Sequence, residues 1–176
     1  MEVMRGCGGC GIFALIGLRN RKGAYSRLSP GTIMNIDRLD HLVLTVSDIN
    51  ATCAFYEKVL GMRVGRFAGG RKALMFGAQK INLHKHGREY DPKAYCPTTG
   101  SADLCFITST SITEVLQHLH ACGIDVIEGP VMRTGAQGPI QSVYFRDPDG
   151  NLLEVSNDIC MPDFVLSPGS CQNSII

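Results

Sequence analysis

The 176-residue sequence predicts an α+β fold built from two βαβββ modules, and three observations support that prediction. A run of alternating polar and apolar residues at positions 40–46 recurs 62 positions later, at 102–108. An amphipathic helical stretch follows each run, and each stretch stops at a glycine, Gly61 or Gly123, again 62 positions apart. Short strand-like segments then complete each copy, so the faces not covered by a helix can form a curved mixed sheet around a cleft.

The first module is predicted from two periodicities. Alternation of apolar with polar residues, rich in β-branched side chains, indicates strands. Apolar residues at helical spacing, among them Cys53, Tyr56, Val59 and Leu60, indicate one helix between the first two strands. Glycine-containing turns separate the remaining strands. The predicted elements are a strand at 40–46, a helix at 50–60, and strands at 62–67, 71–76 and 80–84.

The second module follows the same order with a longer loop. Its helix carries an apolar stripe that includes Val115, Leu119 and Cys122. The glycine- and proline-rich segment 129–139 is predicted to be a loop, and an Asp-Pro-Asp-Gly sequence indicates a tight turn before the last strand. The predicted elements are a strand at 102–108, a helix at 113–122, and strands at 124–128, 140–146 and 151–156.

The distribution of charge suggests how the chain is divided. Residues 1–36 hold five basic residues and one acid and show no periodic apolar face, so they are predicted to be an unstructured basic leader. The domain is predicted at 37–157, with modules at 37–86 and 101–157 and a linker at 87–100, and a loose tail at 158–176. The predicted location is the cytoplasm, and the basic, acid-poor leader leaves mitochondrial targeting as the alternative.

Composition excludes several classes of protein. The net charge of +1, with 19% charged residues, argues against a nucleic-acid binder that needs a broad basic field. No apolar run approaches the ~20 residues that span a bilayer, so no membrane span is expected. The eight cysteines are scattered and several, such as Cys105 and Cys122, have apolar neighbours, so they are predicted to be reduced, small buried residues of an intracellular protein.

Strand alternation also selects candidate functional residues. Because successive strand residues point to opposite faces, His41 and Asp103 lie opposite the helix-packed faces of the two first strands. Two sets from the last strands share that orientation, Asn82 with His84 and Leu152 with Glu154. An acid such as Glu154, placed between Leu153 and Val155 in a strand, is typical of a functional residue.

Three motifs resemble the vicinal oxygen chelate superfamily, which includes glyoxalase I, fosfomycin-resistance thiol transferases and extradiol dioxygenases. They are LDHL at 39–42, FYEKVLGM at 55–62 and YFRDPDGNLLEV at 144–155. RKAL at 71–74, KINLH at 80–84, GSADLC at 100–105 and EGPV at 128–131 resemble the glyoxalase domain-containing protein 5 group within it. The resemblance implies paired βαβββ modules around a metal-binding cleft, with a divalent metal held by His41, Asn82, Asp103 and Glu154.

The donor types are compatible with that implication. One imidazole and two carboxylates suit Zn, Ni, Fe or Mn, and such a metal would act as a Lewis acid on adjacent oxygens. Asn82 departs from the glyoxalase I pattern, which carries a carboxylate there, and Asp103 replaces the histidine of the thiol transferases and dioxygenases. Glu154 is therefore the one candidate for a catalytic base among these last-strand positions, and standard glyoxalase I activity is not expected.

The favoured function is a metal-dependent, glyoxalase-like lyase or isomerase, or a thiol transferase, acting on a small oxygen-rich metabolite with glutathione as co-substrate. The alternatives are an Fe(II) dioxygenase-like enzyme that uses His41, Asp103 and Glu154, and a metal-free small-molecule binding protein. The resemblance also implies a homodimer with clefts near its interface. Besides a small-molecule substrate and a second copy, no nucleic-acid or membrane partner is expected.

Overall fold

The structure is a computed structural model that describes residues 34–159. Most of the predicted leader and nearly all of the predicted tail lie outside the described residues. The elements within 34–159 follow the order βαβββ twice. They are β1 (His41–Val46), α1 (Ile49–Leu60), β2 (Arg63–Phe67), β3 (Arg71–Phe76), β4 (Gln79–Lys85), β5 (Asp103–Ile107), α2 (Ile112–Cys122), β6 (Glu128–Thr134), β7 (Pro139–Arg146) and β8 (Leu152–Asp158).

The strands of the described region form two four-stranded mixed sheets with the same topology. The first has the order β1-β4-β3-β2 and the second the order β5-β8-β7-β6. In each sheet the first and last strands of the module run parallel, and the other pairs run antiparallel. This arrangement confirms the predicted α+β fold of paired βαβββ modules.

Both helices begin and end at residues whose chemistry suits those positions. The side chain of Asp48 accepts hydrogen bonds from the first free N–H groups of α1, and Ser111 and Glu114 form a capping box at the start of α2. Gly61 and Gly123 follow the helices with φ of 64° and 74°, a conformation that glycine adopts without the steric cost of a Cβ. Neither helix in residues 34–159 has the length and apolar character needed to cross a membrane.

A single hydrophobic core lies between the helix-covered faces of the two sheets. It combines apolar side chains from β1, β3 and β4 of the first module and from β7 and β8 of the second with the buried faces of α1 and α2. Its largest fully buried members are Tyr56, Phe145, Leu74, Ile81, Leu83, Leu119 and Leu153. Because strand side chains alternate, the residues between these core positions point away from the core, on the outward face of each sheet.

Strand β6 differs from the prediction. Residues 124–127 are not in a strand, and the segment that was predicted to be a loop from residue 129 onward forms most of β6. The register with β7 shifts between Glu128 and Val131, so Pro130 lies in a bulge of an edge strand, where a residue without an N–H is tolerated. Gly129 has φ of 123°, and a Cβ there would lie 2.6 Å from the carbonyl oxygen of Ser142, so this close strand approach requires glycine.

A buried hydrogen-bond cluster joins the two modules at the turn between β7 and β8. The hydroxyl of Tyr56 on α1 donates to Oδ2 of Asp147 at 3.0 Å, and the side-chain amide of Asn151 donates to the same oxygen at 2.8 Å. Burial, followed by the negative charge of Asp147, raises the pKa of Tyr56. The cluster therefore links the helix of the first module to the tight turn of the second through groups removed from water.

We expect Tyr56→Phe to lower the free energy of unfolding by about 1–3 kcal/mol, because it leaves the buried Asp147 carboxylate with one donor fewer. Denaturant unfolding measures this change. Tyr95→Phe is the matched control, since Tyr95 is fully exposed, and it should shift the midpoint very little. Equal midpoints for the two variants would show that the Tyr56 hydroxyl does not stabilise the contact between modules.

Candidate metal centre

The outward face of the first sheet carries His41 and Asn82. His41 begins β1, and its side chain is 45% exposed. Its Nδ1 lies 2.8 Å from a carboxylate oxygen of Asp40, so that nitrogen is engaged and Nε2 is the one that can coordinate a metal. A carboxylate on the far nitrogen of a ligating histidine fixes the ring and raises its basicity. The local sequence therefore gives His41 the surroundings of a metal ligand.

Asn82 is buried on the same face, in the middle of β4. It pairs with Val43 of β1 and Ala73 of β3, and its side chain is nearly inaccessible. Its Oδ1 is the one fully buried side-chain polar atom within residues 34–159 that has no hydrogen-bond partner. A buried oxygen without a partner costs about 1–3 kcal/mol. A cation or a ligand donor at this oxygen would remove that cost, so the atom fits the predicted metal site.

The outward face of the second sheet carries Glu154 within a polar cluster. The hydroxyl of Ser156 donates to Oε1 of Glu154 at 3.3 Å and lies 2.8 Å from the hydroxyl of Ser142. Burial works to raise the pKa of Glu154, but hydrogen bonds from Ser142, Tyr144, Cys105 and Ser156 outweigh it, so the pKa lies below its usual value. Glu154 is therefore a preorganised carboxylate at neutral pH.

Tyr144 and Arg133 extend this cluster, and the sequence prediction missed both. Nε of Arg133 donates to the hydroxyl of Tyr144 at 3.1 Å, and the guanidinium also contacts a carboxylate oxygen of Glu128 at 2.8 Å. Burial, followed by a hydrogen bond to Glu154, raises the pKa of Tyr144, so its hydroxyl stays protonated and can donate to the carboxylate. Alternation along β7 places Tyr144 directly opposite Glu154, and that signal could have identified it.

Asp103 and Cys105 lie beside Glu154 on the neighbouring strand. Cys105 pairs with Glu154 in the parallel register, and Asp103 lies two residues earlier, where it pairs with Leu152. Both side chains are exposed, so the prediction that Cys105 is buried is wrong. Cys105 lies two residues after Asp103 in the same strand, so strand alternation places both side chains on the same face of the sheet. This placement decides the exposure of Cys105, whereas the apolar character of its neighbours in sequence does not.

One chain places the four predicted ligands in two groups. His41 and Asn82 form what we call the first half-site, and Asp103 and Glu154 form the second half-site; each lies on the outward face of its sheet. No three His, Cys, Asp or Glu side chains within residues 34–159 are grouped so that they could hold a metal ion. The shared core explains the separation, since it joins the helix-covered faces and leaves both half-sites pointing away from it.

The fold agrees with what comparison with known proteins shows. Residues 38–155 match the Glyoxalase/Bleomycin resistance protein/Dioxygenase superfamily, and the chain belongs to that superfamily. The matched segment spans most of both modules and includes the positions of all four predicted metal ligands.

The chain is similar to several known proteins, of which three are described here by identity and coverage. The chain is 63% identical over 123 residues to virulence protein STM3117 of Salmonella typhimurium, covering 70% of this chain and 85% of that protein. The crystal structure of STM3117 superimposes with a TM-score of 0.71 at 61% identity, covering 72% of this chain and 100% of that one. The glyoxalase domain-containing protein RDO1 of Mycosarcoma maydis is 55% identical over 124 residues, 70% of each chain. The metallothiol transferase FosB of Bacillus licheniformis is 29% identical over 118 residues, 66% of this chain and 73% of FosB.

Proposed function

We propose that this protein is a metal-dependent, glyoxalase-like lyase or isomerase, or a thiol transferase, acting on a small oxygen-rich metabolite. The observation that supports this most directly is the partnerless buried oxygen of Asn82, on the same outward face as an imidazole that a carboxylate orients. Together with the carboxylates of Asp103 and Glu154, these donors suit Zn, Ni, Fe or Mn. When bound, such a metal would polarise adjacent substrate oxygens as a Lewis acid.

We further propose that the functional unit is a homodimer in which the first half-site of one copy faces the second half-site of the other. Each chain presents complementary donors on two outward faces, and neither face holds a complete ligand set. Val43 and Ile107, which lie on these faces, are 48% and 53% exposed, so pairing would also remove apolar surface from water. Sedimentation of the full chain tests this proposal, and a purely monomeric protein at micromolar concentration would contradict it.

In this proposal the chain's own residues divide the work. Glu154 accepts a proton at a carboxylate oxygen, since its lowered pKa keeps the group ionised and ready to do so. Tyr144 and Ser156 orient the carboxylate through hydrogen bonds, while Arg133 orients Tyr144. Asn82 offers an acceptor oxygen but no base, because an amide does not take up a proton at accessible pH. Of the two predicted ligands on the last strands of the modules, Glu154 is therefore the one that can take up a proton.

The names of relatives support the finer parts of the proposal. FosB is called a metallothiol transferase, and this similarity supports a thiol co-substrate here, for which we propose glutathione. RDO1 is called a glyoxalase domain-containing protein, which agrees with the glyoxalase-like reaction. The motifs at 71–74, 80–84, 100–105 and 128–131 support our placement of the chain in the glyoxalase domain-containing protein 5 group. The scattered cysteines support our proposal of a cytoplasmic location, and the basic leader supports mitochondria as the alternative.

Metal content decides the proposal. Purified full-length protein should retain about one divalent ion per chain after loading with Zn²⁺, Ni²⁺, Mn²⁺ or Fe²⁺ and dialysis, as measured by elemental analysis. Its melting temperature should then rise further with glutathione conjugates, because a ligand of the native state stabilises it. Protein that retains no metal would contradict the enzyme proposal and favour the binding protein. Turnover only with Fe²⁺ and O₂ would favour the dioxygenase.

A further inference from the structure

A second feature of the first sheet is a cavity of about 400 Å³ beside the first half-site. Segment 92–97 of the linker covers part of the outward face and forms one wall, and β1 and β4 form the floor. The lining residues are Val43, Thr45, His84, Pro92, Lys93, Ala94 and Pro97. The sequence predicted this linker only as a connection between modules, so the cavity adds a site to that prediction.

Two polar side chains at the floor form no side-chain hydrogen bond within the described residues. Thr45 and His84 face each other in the parallel register of β1 and β4, and they are 7% and 6% exposed. Neither side chain makes a hydrogen bond to any other residue within 34–159. Within residues 34–159 Asn82 Oδ1 is the one fully buried side-chain polar atom without a partner, so the polar atoms of Thr45 and His84 stay open to the space that these residues line. Their remaining hydrogen-bonding capacity is therefore directed into the cavity that they line.

Neighbouring aromatic groups orient the His84 ring, and neighbouring charged groups determine the sign of charge that the cavity favours in a ligand. The ring of His84 packs edge-on against Tyr90 with centroids 5.5 Å apart, and the guanidinium of Arg71 lies 4.9 Å from the centre of the Tyr90 ring. Lys93 lines the cavity itself. The acid nearby, Glu89, is already engaged by Lys93 at 3.6 Å and by a backbone N–H. With two cations and one acid, the surroundings favour an anion.

We propose that this cavity binds a small aliphatic carboxylate, with Thr45, His84 and Lys93 contacting the carboxylate oxygens. Apolar contacts from Val43 and the linker prolines suit a short hydrocarbon body. Val43 also pairs with Asn82, so a ligand in the cavity reaches toward the partnerless oxygen of the first half-site. This proposal rests on the proposed function: the cavity holds the acid group of the substrate, and this restricts the substrate to small carboxylic acids.

The test compares butyrate with butyramide, its neutral isostere, by calorimetry on full-length protein from which metal has been removed by a chelator and the chelator then removed by dialysis. Butyrate should bind about tenfold or more tightly than butyramide, since the charge-assisted contacts are lost with the amide. Thr45→Val and His84→Phe should each weaken butyrate binding about fivefold, the usual effect of one lost hydrogen bond. Thr45→Ser and His84→Gln keep a hydroxyl or an N–H and should retain most of the affinity.

Thr113→Val and His120→Phe, on the exposed face of α2, are the matched controls and should leave butyrate binding within about twofold. Melting curves establish that each variant is folded. No binding of butyrate, equal binding of butyrate and butyramide, or unchanged affinity in Thr45→Val and His84→Phe would each overturn the proposal. Because the measurement needs no metal, these outcomes are independent of whether the protein proves to be a metalloenzyme.

Discussion

Alanine at either His41 or Glu154 should weaken metal binding by at least ~10²-fold, because the loss of a group that merely supports a ligand already costs 10–100-fold. The two residues lie on different sheets, so neither substitution removes the other residue's supporting contacts. Elemental analysis after dialysis should therefore show far less than one ion per chain in both variants. Retention of one ion per chain by either variant would remove that residue from the predicted ligand set.

A mixture of the two variants tests the pairing of half-sites more sharply. If a site combines the first half-site of one copy with the second half-site of another, each mixed dimer contains one intact site and one doubly altered site. Equal amounts refolded together should then recover metal at about one quarter of all sites, since about half of the dimers are mixed. A site formed within one chain would recover none.

The matched control is a mixture of Asp103→Ala with Glu154→Ala, which shows whether refolding and exchange of chains recover metal by themselves. Both substitutions lie in the second half-site, so no combination of these chains contains an intact one. Recovery in the first mixture and none in this control would establish pairing between copies. Recovery in neither, with wild-type protein regaining its metal after the same refolding, would contradict it.

The parts of the fold that local sequence determines were predictable. Helix α1 begins after an N-cap at Asp48 and ends at Leu60, just before Gly61, and both signals lie next to the helix ends that they specify. The same holds for β1, whose alternation shows which side chains share a face. Strand β6 was not predictable in this way, because the pairing of its proline-containing bulge with β7 depends on an edge position in the finished sheet.

For the candidate site, the sequence predicts only which face of its sheet each residue occupies. Alternation correctly places His41, Asn82, Asp103 and Glu154 opposite the core, but it cannot show which outward faces meet, since that depends on contacts between distant modules. Arg133 was not predicted because its guanidinium reaches Tyr144 from the neighbouring strand β6, and the register of β6 with β7 is set in the finished sheet. The linker cavity was not predicted because segment 92–97 has no periodicity that indicates the sheet face it covers.

Asn82 is the position at which the predicted ligand set departs most clearly from a glyoxalase I, and it should limit the reaction. Isomerisation of a hemithioacetal moves a proton between adjacent carbons, which requires a base at the reacting carbon. A carboxylate can accept that proton, but the amide of Asn82 cannot. We therefore expect wild-type protein to isomerise the methylglyoxal–glutathione adduct slowly, by a factor of about 10²–10⁴ relative to an enzyme with a positioned base.

Asn82→Glu should raise that activity by as much as ~10²–10⁴-fold at equal metal occupancy, because it supplies the missing carboxylate. The same substitution should destabilise the metal-free protein, since it buries a carboxylate where the structure provides no hydrogen-bond donor to Oδ1. Metal should then raise the melting temperature of Asn82→Glu more than that of wild type, because the cation offsets the buried charge.

Asn82→Gln is the control for these two effects, since it has the length of glutamate without its charge or its basicity. It should leave the isomerase activity at the wild-type level, and its metal-dependent rise in melting temperature should not exceed that of wild type. A gain in Asn82→Gln equal to that in Asn82→Glu would assign the effect to side-chain length. Wild-type turnover near ~10² s⁻¹, above the ~10 s⁻¹ of a typical enzyme, would show that proton transfer in this site does not need a carboxylate at residue 82.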